Sequence, residues 1–382
     1  MKKEILVIVK NKLKSIDTSL PILIELKEKY NISSIVVVND KLAHKGINEN
    51  VVIRDAINYV GRELYTDTNS TNKISRKIRK LGFLFFLLFK LMKGTKVLHF
   101  GIFNVFPFIV LGKIFSKNLY LLQGSSFKHS YVKFNKVAKK TPAAIVTPVG
   151  GNIVAFNDAM KYLDVASDSQ KIFMFGSARV RSAWLGYINE RREGYFYNYH
   201  GDVDSSNGCI VLILAYFEEL NLMRKPNDSA TMLLRNTLEV LNKVKGDLPV
   251  FIKPHVFTNL DIVNTALHGL KGFHITYLHP SVLASRARVF ICNTYSTIMA
   301  DAKTLGVETV EYSDYSDDTI NLSRGKSIGY EYVDKFINND KNEFEKIIKS
   351  ILSTKAPHCN SLIADDTKSG ANALFYSLAE EK

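Results

Sequence analysis

Residues 248–256 read Leu-Pro-Val-Phe-Ile-Lys-Pro-His-Val. A short apolar run closed by turn residues is the pattern of a strand buried on both faces of a parallel sheet. Pro254 sets its own φ and keeps the residue before it extended. The strand should therefore stop with Lys253 and His255 at its carboxyl end. A lysine and an imidazole there suit phosphate oxygens. The same residues also serve as plain punctuation, a solvated lysine and a structural histidine.

Working outward, the run belongs to an alternating series. "CIVLILAYF" precedes it, followed by a helical pattern over Ser229 to Val244. After it come a helix near Leu260 to Leu270, "GFHITYL", "RARVFICN", a helix from Ser296 to Leu305 and "VETVEY". The first half alternates in the same way, through "EILVIVK", an amphipathic stretch around Leu20 to Lys29, "SSIVVVND", "KVLHF", "NLYLLQG", "AAIVTP" and "KIFMFGS". β-rich runs alternating with helical stretches predict parallel sheets covered by helices. The pattern lapses at the polar, aromatic and turn-rich stretch before Gly208, which reads as a linker. The expected organisation is an α/β domain over 1–180, a linker over 181–208, a second α/β domain over 209–365, and a terminal helix over 366–382. Ligands of such sheets bind beyond the carboxyl ends of the strands.

The chain has 382 residues, enough for two domains, and its composition is that of a soluble globular protein. Lys and Arg number 51 against 37 Asp and Glu, a formal net charge of +14. That excess points to a negatively charged partner without choosing among nucleic acid, anionic membrane and phosphorylated ligand. Cys209, Cys292 and Cys359 form no CxxC pair, and an odd number cannot all pair within the chain. A reduced, cytoplasmic protein is the expectation. No run approaches the ~20 apolar residues of a membrane span.

Lys73 to Lys96, "KISRKIRKLGFLFFLLFKLMKGTK", has a basic start and an aromatic-rich apolar centre. It fits a helix lying on an anionic leaflet, hence peripheral association with the inner face of the plasma membrane. The alternative is a core-packed helix with a solvated basic end.

Three further stretches could carry chemistry. In "RVFICNTYSTIMADAKTLG" a buried-looking strand runs into Asn293-Thr294-Tyr295-Ser296-Thr297 and a helix. Ser296 is a natural N-cap, and hydroxyls beside unpaired helix N–H groups can hold an anion. Caps and nothing more is the alternative. In "LHPSVLASRA", His279 and Pro280 open a short helix. In "LYLLQGSSFKHS" a strand opens into Gln123, Gly124 and Ser125, with Lys128 and His129 beyond. That is a cleft loop or an ordinary turn. No Walker lysine motif and no GxGxxG follows the first strand.

Taken in order, these stretches resemble bacterial surface-polymer transferases of the GT-B fold. They are most similar to the CDP-glycerol glycerophosphotransferase group of teichoic-acid assembly. "IKPH" stands where that group has a basic residue and a His-Pro element. "NTYST" before a helix with Asp301 stands where it has Asp-Tyr-Ser-Ser and an acid. The Arg-Gly of "NLSRGKSIGY" follows, and "QGSSFK" occupies the place of a His-Gly-Thr-Pro-Leu-Lys loop. The resemblance covers roughly Leu119 to Tyr330. At two positions the chain departs from the group. Gln123 replaces the loop histidine, and glutamine is no proton acceptor near neutral pH; Thr294 replaces the aspartate. Lys-Pro-His with Ser-Thr also resembles transferases that use CMP-activated acidic sugars.

The resemblance implies two Rossmann-like α/β domains facing across a cleft and a glycosyltransferase of surface-glycan assembly (capsule, lipopolysaccharide or teichoic-type polymer). The donor would be nucleotide-activated, CMP- or CDP-linked. It would bind the second domain through Lys253, His255, His279, Asn293, Ser296 and Thr297. A glycan or lipid-linked acceptor would bind the first, with Asp17 or His129 as general base and Gln123, Gly124 and Ser125 lining the cleft. Asp17 as a helix N-cap and His129 as a surface residue are the alternatives. No cofactor and no metal are expected, since no His/Cys ligand cluster stands out. Three rivals remain: glycerophosphate transfer itself, a sugar-nucleotide epimerase, and a non-enzymatic binder of anionic surfaces. No recognised nucleic-acid module is present.

Overall fold

The computed structural model describes residues 3–9, 13–67, 73–122, 149–156, 166–214, 229–255, 258–354 and 369–380. The chain forms two compact units. The first holds the described residues up to Tyr187 together with the C-terminal helix; the second holds those from Ile188 to Thr354.

In the first unit seven described strands make one sheet: β1 (Glu4–Val9), β2 (Ser33–Val38), β3 (Gly61–Tyr65), β4 (Val97–His99), β5 (Leu119–Leu122), β6 (Asn152–Ala155) and β7 (Lys171–Met174). Their order is β3-β2-β1-β4-β5-β6-β7, parallel throughout. β1, β2, β4, β5 and β6 are almost wholly buried, which is why they read as unbroken apolar runs rather than as alternation. β3, "GRELY", is a half-exposed edge strand and carries no such signature. The expected strand "AAIVTP" lies outside the described residues.

The second unit has β8 (Cys209–Ile213), β9 (Val250–Lys253), β10 (Phe273–Ile275), β11 (Ala287–Cys292), β12 (Glu308–Ser313) and β13 (Lys335–Asn338). They lie in the order β10-β9-β8-β11-β12-β13, again parallel. Each sheet runs outward from its first strand, returns beside it, and runs outward on the other side. This is the doubly wound arrangement, with its switch point between β1 and β4 in one unit and between β8 and β11 in the other. A core of Ile210, Leu212, Val250, Ile252, Val289 and Ile291 is closed by the helices Ser229–Val244 and Lys341–Ser353.

The stretch expected to be a linker is largely a helix, Ser182–His200, which begins in the first unit and ends in the second. Its apolar residues form two patches, Trp184 to Ile188 and Tyr195 to Phe196, separated by the charged turn Glu190–Glu193. Without one continuous stripe it has no amphipathic signature to read. The terminal helix is present as Ser369–Ala379 and belongs to the first unit. Phe375 meets Phe175, and the Tyr120 hydroxyl is 2.7 Å from the Ser377 hydroxyl. Among the described residues no helix is long and apolar enough to cross a membrane.

Candidate functional site

The doubly wound topology directs attention to the carboxyl ends of β8, β9, β11 and β12. Register aligns them. Ile213 of β8 pairs with Lys253 on one side and with Cys292 on the other. Cys292 in turn pairs with Glu311. Lys253 and Cys292 thus flank the end of the central strand, two strand spacings or about 10 Å apart. Pro254 stops β9 at this line, as the sequence indicates, and His255 beyond it is exposed. The His255 N–H donates to the Thr258 hydroxyl at 2.8 Å, fixing the turn. Lys253 is half-buried, and its ammonium donates to the Leu278 carbonyl at 2.8 Å.

His279 caps a helix through one ring nitrogen. It is fully buried, and its Nδ1 accepts the Ser281 N–H at 3.1 Å. It is the N-cap of the helix Pro280–Ala284, with Pro280 at the first position. Asn293 is also inside, 2% exposed, donating to the Thr237 hydroxyl at 2.8 Å and the Tyr312 carbonyl at 3.2 Å. It joins the end of β11 to β12 and so positions the loop 294–297. Thr297, rather than Ser296, is the cap of the helix Ile298–Thr304, and its side chain makes no capping bond. The Ser296 hydroxyl sits 3.4 Å from the Ile298 N–H, a weak contact. Both side chains are half-buried, in the loop that follows the carboxyl end of β11.

What sequence reasoning missed is the support beneath that loop. Glu311 is fully buried, yet accepts hydrogen bonds from Ser313 (2.9 Å), Tyr315 (2.5 Å) and Ser327 (2.5 Å). The Tyr295 N–H adds a fourth. Burial raises the Glu311 carboxyl above the ordinary carboxylate range, while these donors pull it back. Ser327 also accepts the Gly329 N–H at 2.9 Å. A Cβ on Gly329 would fall 2.0 Å from the Tyr295 ring, so glycine lets backbone and ring meet. One carboxylate therefore joins the loop after β11, the end of β12 and the segment 324–329 with its exposed Arg324 and Lys326. The available signal was the second of the two glutamates in the strand "VETVEY". Burial raises the Tyr295 hydroxyl well above its ordinary value, so this phenol stays protonated.

In the first unit Asp17 lies in the second turn of the helix Leu13–Tyr30, not at a cap, with Arg179 Nη1 3.8 Å from its carboxylate. His99, at the carboxyl end of β4, is fully buried; its Nδ1 accepts the Gly101 N–H at 3.1 Å. Arg181 and Glu25 form a buried two-point ion pair at 2.7 and 2.9 Å. Gln123, Gly124, Ser125 and His129 lie outside the described residues. The described cysteines, Cys209 and Cys292, are buried thiols. No group of three potential metal ligands occurs among the described residues. The Asp-x-Asp triplet Asp202–Asp204 precedes β8, at the opposite edge of the sheet, and the Asp204 carboxylate accepts the Ser206 N–H.

Two parallel α/β units of this strand order define a GT-B-like fold. No family model matches the chain, and no curated protein does. Among solved structures it is similar to the glycotransferase of kitacinnamycin, at 11% identity and a TM-score of 0.52, covering 99% of this chain and 97% of that one. It is similar to UDP-N-acetylglucosamine 2-epimerase from Rickettsia bellii, at 11% identity and 0.52, covering 99% and 94%. It is also similar to Arabidopsis thaliana UGT89C1 complexed with UDP, at 12% identity and 0.52, covering 99% and 100%. The likeness is one of fold.

Proposed function

We propose that the protein is a glycosyltransferase of bacterial surface-glycan assembly, with its nucleotide-activated donor, CMP- or CDP-linked, bound by the second unit. The observation that carries this reading is the register line Lys253–Ile213–Cys292 at the switch point of a doubly wound sheet. The cation of Lys253 lies on one side of the central strand and the hydroxyl-bearing loop 294–297 on the other. Such a span suits a diphosphate or a phosphodiester. Charge developing on the departing phosphate would be met by Lys253, His255 and the loop hydroxyls. No metal step is part of this reading, and chelation should leave the rate unchanged. The acceptor hydroxyl is assigned to the first unit, with Asp17 as the group that receives its proton.

The test is a screen of CMP-, CDP-, UDP- and GDP-linked donors, CDP-glycerol included, for thermal stabilisation, because a ligand bound to the native state raises its melting temperature. One nucleotide should stabilise the wild type and fail to stabilise His255→Ala and Ser296→Ala. Stabilisation unchanged in both variants would overturn the site. Asp17→Asn should keep donor binding and cut turnover by ~10²-fold or more. Turnover of a nucleotide sugar with no acceptor present would favour an epimerase instead.

A further inference from the structure

The helix Lys73–Met92 is apolar on two opposite faces. Phe83, Leu87 and Leu91 enter the core of the first unit beside Leu6, Ile35 and Val97. On the other side Ile74, Ile78, Leu81, Phe85, Phe89 and Met92 are each 54–73% exposed. At 3.6 residues per turn these six fall in a sector roughly 80° wide, opposite the buried three. The helix thus packs on the core with one apolar face and leaves a second one exposed.

A second element continues the surface. Val105, Phe106, Val110 and Ile114 are exposed, Phe106 at 83%. Phe108 of the same segment packs on Phe83 at 5.8 Å and shares its core cluster, so helix and segment cover the same side of the sheet. Among the described residues, ten of the twenty-one exposed large apolar side chains fall within residues 74–114. Single exposed apolar residues are ordinary; a concentration of this kind marks a contact surface.

The charge distribution says what the contact is with. Between Asp67 and Asp158 the sequence has fifteen Lys and Arg and no Asp or Glu. The rest of the chain, with 36 basic against 37 acidic residues, is near neutral, so the whole positive excess lies in this stretch, ten of its cations within residues 73–117 and five outside the described residues. Lys73, Arg76, Lys77 and Lys80 are exposed at the start of the helix, and Lys113 and Lys117 at the end of the second element. Lys93 lies over the Phe89 ring at 4.2 Å, an apolar stem with its charge at the edge of the stripe. A second copy of the chain would set these cations against their like. A nucleic acid would leave the apolar stripe without a function.

We propose that this face of the first unit docks on an anionic lipid bilayer. The Ile74–Met92 stripe and the Val105–Ile114 segment enter the acyl boundary, and the surrounding lysines and arginines lie among the head groups. The inference does not depend on the donor assignment.

The test is co-sedimentation of the full chain with vesicles of phosphatidylcholine alone and with roughly one-third phosphatidylglycerol. Wild type should bind the anionic vesicles, more weakly as salt rises, and bind phosphatidylcholine poorly. Phe85→Asp with Phe89→Asp, and separately Phe106→Asp, should weaken binding by ~10-fold or more. Lys77→Glu with Lys80→Glu should do so at low salt and approach wild type at high salt. All five side chains are exposed, so far-ultraviolet circular dichroism should be unchanged and nucleotide stabilisation should persist in every variant. Wild type that stays in the supernatant with anionic vesicles at low salt overturns the proposal. So do apolar variants that bind like wild type, or a wild-type dimer that Phe106→Asp converts to monomer.

Discussion

Replacing Glu311 by leucine tests whether one buried carboxylate holds the loops at the carboxyl edge of the second sheet. Leucine fits a similar volume but accepts nothing. Ser313 can turn to the Asn293 carbonyl, 3.1 Å away. Tyr315 and Ser327 lose the acceptor that each reaches at 2.5 Å, and the Tyr295 N–H loses the same carboxylate. A buried hydroxyl deprived of its partner costs about 1–3 kcal/mol, so the two hydroxyls alone cost about 2–6 kcal/mol. Relief of the carboxylate's own burial offsets part of this, leaving a net loss of about 2–3 kcal/mol. For a unit of this size that is a fall of roughly 4–12 °C in Tm. Glu311→Gln keeps one carbonyl acceptor and should lose about 1 kcal/mol.

The two variants also differ from wild type in their pH response. The folded state holds Glu311 above the ordinary carboxyl value of 4.5, so it favours the protonated form. The cost of burying the charge is present above the folded value and is relieved as pH falls toward the ordinary one. Wild type should therefore gain stability relative to Glu311→Gln on going from neutral to acidic pH. Melts followed by circular dichroism across that range, with urea titrations, measure both effects. Melting within ~2 °C of wild type for Glu311→Leu, the shift expected for no more than ~1 kcal/mol, would refute the reasoning.

Three further outcomes are expected. Gly329→Ala sets a Cβ against the Tyr295 ring, so it should displace the 294–297 loop and weaken nucleotide binding in a calorimetric titration while the far-ultraviolet spectrum stays unchanged. Arg181→Ala leaves Glu25 buried beside Lys29 at 2.8 Å, and should destabilise the first unit by about 3–5 kcal/mol in urea titration. His200 and His274 both sit below the ordinary histidine range, chiefly through burial. They favour the neutral form, so the stability they support holds above pH 6.5 and is lost as pH falls through their lowered values. His200→Phe, beside Phe251 at 4.6 Å, should flatten that loss in melts taken between neutral and mildly acidic pH.

The sequence by itself determined the elements whose reasons are local. Fully buried parallel strands are continuous apolar runs, so β1, β2, β5, β8, β9 and β11 could be read directly. So could the helix Ser229–Val244, whose residues repeat along one face. The end of β9 was legible because proline acts on its immediate neighbours. Readings that needed distant partners went differently. The burial of His279, and the use of its Nδ1 to cap the next turn, depend on how that turn packs and carry no local signature. The helix Ser182–His200 has its two apolar patches covered separately, so no single stripe announced it. Glu311 draws its donors from residues 313, 315 and 327 and from the Tyr295 backbone, a set assembled only when β11 and β12 pair. In the helix Lys73–Met92 the sequence supplied the apolar residues and the cations. Which of them face the core and which face outward was decided by packing on the first sheet, since two apolar faces of one helix are equivalent in sequence until one of them is buried.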